Sequence, residues 1–90
     1  MAKKSNYIIS ITNSDGDGAE VYRVTGTVTQ VKKHLLQLVK NDWDERWDYG
    51  TEKVRDVEER NDGSLYAYSV FGDYHIDYLA TLETESIVLG

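Results

Sequence analysis

Hydrophobic and polar positions change period along the chain, and the changes mark its elements. Residues 7–13 (Y-I-I-S-I-T-N) are β-branched and alternate in their second half, Ile9 and Ile11 on one face and Ser10 and Thr12 on the other, which predicts a strand. Residues 14–18 (S-D-G-D-G) suit a chain reversal, and residues 20–25 (E-V-Y-R-V-T) read as the returning strand of a first hairpin. After Gly26 the period lengthens. Thr27 and Gln30 have the spacing of a capping box, and Val28, Val31, Leu35, Leu38, Val39 and Trp43 recur at three- and four-residue steps, opposite Lys32, Lys33, Gln37 and Lys40. This is an amphipathic helix, with Lys40 suited to the negative end of its dipole. Trp47 follows Trp43 by one turn, so the helix is expected to reach about Asp48 before Gly50 ends it.

Beyond the helix the period returns to two. Residues 53–60 (K-V-R-D-V-E-E-R) are polar, and a polar edge strand fits them better than a helical turn because Asn61-Asp62-Gly63 is a hairpin turn signal. In residues 64–71, Leu65, Ala67, Ser69 and Phe71 alternate with Tyr66, Tyr68 and Val70, and Gly72-Asp73 makes a tight turn. In residues 74–83, Tyr74, Ile76, Tyr78, Ala80 and Leu82 share one face while His75, Asp77, Thr81 and Glu83 share the other. Residues 87–89 fit either a short last pairing or a frayed end. The expected fold is α+β, a single domain over residues 1–90 in the order ββαβββ, with residues 1–5 disordered and one helix packed on one face of an antiparallel sheet. The uncovered face should then present tyrosines and acids.

Ninety residues bury about two-thirds of the surface they expose when unfolded, which suffices for one modest core. An aromatic content of 11% argues against disorder. The chain has no cysteine, which excludes disulfides, thiolate metal sites and cysteine nucleophiles. Its apolar runs are too short to span a membrane and no signal-peptide core follows Met1, so a soluble cytoplasmic protein is expected. The net charge of -6 is unevenly placed: residues 1–41 carry six bases against three acids, residues 42–62 nine acids against four bases, and residues 63–90 four acids and no base. That balance opposes direct binding to nucleic acid or anionic lipid, although the basic helix face and Tyr66, Tyr68, Tyr74 and Tyr78 would otherwise suit phosphate and bases.

Candidate chemistry is sparse. Asn13, Asp15, Asp17 and Gly18 match the first half of an EF-hand loop, but Val24 stands where its bidentate Glu belongs and strands flank it, so a hairpin turn is expected. His75 and Asp77 lie two apart on one strand face and would serve as a metal pair or as a base and its orienter, although no third ligand is legible; a solvated strand face explains them better. His34 reads as a boundary residue of the helix. No serine sits in a nucleophile motif, no glycine pattern cradles phosphate, and so small a domain scarcely encloses a glycosidase cleft between Glu58 and Glu59. No catalytic residue, metal or cofactor is expected.

The stretch over residues 41–53 (N-D-W-D-E-R-W-D-Y-G-T-E-K) interleaves carboxylates with aromatics. Trp43 and Trp47 continue the apolar stripe, so they anchor to the core, and the acids become the better recognition candidates. The candidate partner-binding set is Asp42, Asp44, Glu45, Asp48, Tyr49, Glu58 and Glu59, facing a protein with a basic surface. In overall character, with the D-W-D-E-R-W-D-Y and V-E-E-R-N-D stretches, the chain resembles the small acidic inhibitors of phages and mobile elements, anti-CRISPR and anti-restriction DNA mimics among them. That resemblance implies a non-enzymatic inhibitor occupying the basic channel of a nucleic-acid enzyme, with Asp42, Asp44, Glu45, Asp48, Glu58 and Glu59 mimicking phosphates. Two other readings stand beside it: a self-associating (homodimeric) or adaptor module using its aromatic surface, and a small metal protein or enzyme around His75 and Asp77.

Overall fold

The computed structural model describes residues 3–16, 18–45, 48 and 50–83. Strands β1 (Ser5–Asn13) and β2 (Glu20–Gly26) precede the helix α1 (Val28–Glu45), and β3 (Glu52–Lys53), β4 (Glu58–Glu59), β5 (Leu65–Phe71) and β6 (Tyr74–Leu82) follow it. All pairings are antiparallel, in the order β2-β1-β6-β5-β3, with β4 also on β5. The expected α+β order holds, with its third strand divided into β3 and β4. β1 starts at Ser5, inside the leader expected to be disordered. Residues 87–89 lie outside the described residues. No helix among the described residues is long and apolar enough to cross a membrane.

Helix α1 begins where its cap chemistry places it. The Gln30 N–H donates to Thr27 Oγ1 (3.2 Å) and the Thr27 N–H donates to Gln30 Oε1 (2.9 Å), closing the capping box in both directions. Val31, Leu35 and Val39 face the sheet and are buried against Tyr7, Ile9, Leu65, Ala67, Ile76, Tyr78 and Ala80. Burial of such side chains contributes about 1.5–3 kcal/mol each, so this single helix–sheet layer is the main source of stability. One expectation changes at the helix start. Val28, on the predicted stripe, is 40% exposed, because the first turn borders an open cleft of about 550 Å³ that it shares with Tyr7, Leu65 and Leu82. Among the described residues the helix spans Val28–Glu45, and Trp47, expected to continue it, lies outside them.

The turns set the register. At the β5–β6 hairpin, Gly72 takes φ +67° and Phe71 faces Tyr74, which leaves a two-residue connection and fixes every later pair. Gly63 takes φ +87° in the turn between β4 and β5, where the Ser64 N–H and hydroxyl both donate to Asp62 Oδ1 (2.9 and 2.6 Å). Those two donors, the hydroxyl first, hold the Asp62 carboxyl below its usual range. Between β1 and β2 the Asp15 N–H donates to Asn13 Oδ1 (3.1 Å), the Asx turn expected of a hairpin.

Candidate functional site

The acids proposed from sequence divide into two groups. Near the end of α1, Asp42 is half-buried and accepts a short hydrogen bond from the Tyr78 hydroxyl, while Asp44 pairs with Lys40 Nζ at 2.7 Å. Glu45 and Asp48 are exposed, and Tyr49 lies outside the described residues. In β4, Glu59 pairs with Lys32 at 3.0 Å and Glu58 with Arg60 at 3.5 Å. Glu59 therefore sits beside the second turn of α1 and Asp44 on its last, and the helix rises about 18 Å between Lys32 and Asp44. The structure does not bring the two groups together.

Trp43 is held as its place on the stripe implied. Its ring lies 5.7 Å from that of Phe71, Lys53 Nζ sits 4.9 Å from its centroid, and Gly50 passes so close that a Cβ there would come within 2.6 Å of it. It anchors the segment after the helix to the core. Trp47 lies outside the described residues. His34 shares a 2.6 Å hydrogen bond with the Tyr22 hydroxyl and meets that ring edge-on, tying the helix flank to β2. It is a packing contact at the helix boundary.

The face of the sheet away from α1 has no covering element among the described residues, and it assembles a feature that single residues in the sequence do not announce. β5 sends Tyr66, Tyr68 and Val70 to this face, and β6 sends His75, Asp77 and Leu79, so that Tyr68 stands opposite Asp77, Tyr66 opposite Leu79 and Val70 opposite His75. The Tyr66 hydroxyl reaches diagonally to Asp77 Oδ1 at 2.5 Å, and His75 Nε2 lies 3.5 Å from Asp77 Oδ2. Burial, with the Asp77 bond second, pushes the Tyr66 phenol up to about 12, so it remains a donor across the neutral range. The Tyr66 and Tyr68 rings stack at 6.1 Å and 26°. Tyr66, Tyr68, Val70, His75 and Asp77 line a shallow depression of about 270 Å³.

Glu58 faces Tyr66 and Glu52 faces Val70 on the same side, extending the acidic character to the sheet edge. The expected pair His75 and Asp77 is thus real, but its nearest additional partner is a tyrosine. Among the described residues no three His, Asp or Glu side chains come together as a metal site. What the arrangement offers chemically is a flat aromatic surface beside a carboxylate fixed by a hydroxyl. No family model matches the chain, and no curated protein or solved structure matches it either.

Proposed function

We propose that the chain is a non-enzymatic binding protein that engages a basic surface of a partner protein. One observation carries this reading: a sheet face that no described residue covers combines Tyr66, Tyr68 and Asp77 with an edge that bears Glu52 and Glu58. Aromatic rings supply contact area at low entropic cost, and carboxylates around them speed encounter with cations and penalise acidic partners. On the helix, Lys32 and Lys40 are engaged by Glu59 and Asp44, which leaves Lys33 as the exposed base of that face. Two of the remaining cations also lie over rings, Lys53 over Trp43 and Arg60 over Tyr66, and Glu45, Asp48, Glu52 and Asp56 are exposed.

The test is affinity capture from a host extract at low salt, followed by binding measurements on the purified partner. Affinity is expected to fall steeply as salt rises from about 0.05 to about 0.5 M, because screening shortens the reach of exposed charges to a few ångströms. Binding insensitive to salt, or unaltered by reversing Asp44 and Glu45 together with Glu58, would overturn the reading. Duplex DNA added as competitor then separates two forms of it: displacement of the chain marks an occupant of a nucleic-acid channel, as phosphate mimicry by Glu45, Asp48 and Glu58 requires.

A further inference from the structure

We propose that the uncovered sheet face holds a guanidinium-binding site formed by Tyr68, Asp77 and Tyr66, and that it selects arginine over lysine in the partner's basic segment. The inference rests on the reading above and specifies its chemistry. Its strongest support is an arrangement within the chain itself. Arg60 lays its guanidinium 4.8 Å from the Tyr66 ring centroid, with Glu58 Oε2 at 3.5 Å from its Nε, so one row of the sheet already shows an arginine on a tyrosine with a carboxylate at its edge. The adjacent row repeats two of those three parts. Tyr68 lies one step along the same face with its ring nearly parallel to Tyr66, and Asp77 stands directly across from it. The missing third part is the cation.

The site is prepared for a planar cation. The Tyr66 hydroxyl fixes one oxygen of Asp77 at 2.5 Å, and the Asp77 side chain keeps 33% of its surface open, so its remaining lone pairs can accept from outside. With the Tyr66 ring already under Arg60, Val70 and the Tyr68 ring supply the apolar floor over which a second guanidinium can stack while its N–H fork meets the carboxylate. An ammonium would have to give up more hydration for a single point contact. Charge complementarity points the same way: Glu52 and Glu58 border the depression on the β3 and β4 side, and the chain carries a net charge of -6. His75 stands beside Asp77 at 3.5 Å and competes for it, so comparisons are made at a single pH.

The probes are a blocked peptide holding two arginines separated by glycine and its lysine counterpart, titrated into the intact chain while backbone amide resonances are followed. The arginine peptide is expected to saturate with shifts centred on β5 and β6, and the lysine peptide to bind at least about threefold more weakly. Tyr68→Leu and Asp77→Asn should each weaken arginine binding about three- to tenfold, the range of an aromatic or carboxylate contact to a partly desolvated cation, whereas Tyr68→Phe retains it. Asp77→Asn still accepts from Tyr66, so a loss there reports charge. Equal affinity for the two peptides, undiminished binding in Tyr68→Leu, or no saturable binding of either peptide would overturn the site. Any of these outcomes leaves the salt dependence of the captured partner as the separate judge of the broader reading.

Discussion

Tyr78 is fully buried yet ends in a hydroxyl, and that hydroxyl needs partners in the core. It donates to Asp42 on α1 and lies 3.1 Å from the buried Ser69 hydroxyl on β5, so one side chain joins the end of the helix to the middle of the sheet. Asp42, a candidate for recognition by its sequence context, is in this way committed to the fold. Burial, followed by the bond to Asp42, pushes the Tyr78 phenol far above the ordinary value of 10.0, and Tyr66 rises to about 12 for a similar cause. The consequence for pH follows from linkage. Unfolded tyrosines begin to ionise near pH 10, whereas these two stay protonated in the native state, so their contribution is fully present below that point and is lost as pH rises through their folded values. Urea midpoints are therefore expected to hold between about pH 7 and 9 and to fall above pH 10. Tyr78→Phe should lower stability at neutral pH by about 1–3 kcal/mol, since Ser69 loses its hydroxyl partner, and should make the alkaline fall shallower. A Tyr78→Phe curve parallel to the native one across pH 9 to 12 would contradict this assignment.

At the level of elements, the turns carry different loads despite similar backbone angles. Gly72 and Gly63 both take positive φ, which costs an L side chain about 1–2 kcal/mol. A Cβ on Gly72 would meet nothing within 4 Å, but on Gly63 it would come within 2.5 Å of Leu82 Cδ1, at the far end of β6. Gly63→Ala is therefore expected to destabilise the chain by about 2–3 kcal/mol and Gly72→Ala by about 1, measured by denaturant unfolding. Equal losses would mean that Leu82 gives way freely into the neighbouring cleft. The divided edge strand has an equally local cause, which also marks how far the sequence could be read. Val54 packs against the core and Val57 is buried, although they are three residues apart. In an unbroken strand that spacing puts the two on opposite faces, so the strand must break between β3 and β4 for both to turn inward. The hydrophobic pattern thus located β5 and β6 by alternation, β1 by β-branched residues that alternate in its second half, β2 as the return from a turn signal, and α1 by its cap and stripe. It misled where Val54 and Val57 followed neither period, and at Val28, which lies on the stripe but borders the open cleft.

At the scale of the whole molecule, composition shows the acidity directly, because charge needs no coordinates, but which acids share a surface depends on how the chain is folded. Glu45 and Glu58 are near in sequence and belong to opposite ends of α1, separated along it by about 18 Å, since β4 returns to the helix start where Lys32 receives Glu59. The uncovered face was more legible: once Gly72-Asp73 is a two-residue turn, Tyr68 must oppose Asp77. The diagonal bond from Tyr66 to Asp77 was not, because it depends on side-chain rotamers that no periodicity encodes. The separation of the acids has a measurable consequence for partner binding. Groups farther apart than about 7–10 Å usually act independently, so the effects of Glu45→Lys and Glu58→Lys on the association rate should multiply in the double variant. Both effects should shrink together as salt is raised from about 0.1 to about 1 M, where the screening length falls from about 10 to about 3 Å. Stopped-flow rates on the captured partner read this directly. A partner wide enough to cover both ends of the helix gives two additive free-energy increments. If Glu58→Lys carries the whole effect and Glu45→Lys none, the partner is confined to the sheet face, and the helix-end acids serve solubility and the hold of Asp42 on Tyr78 instead.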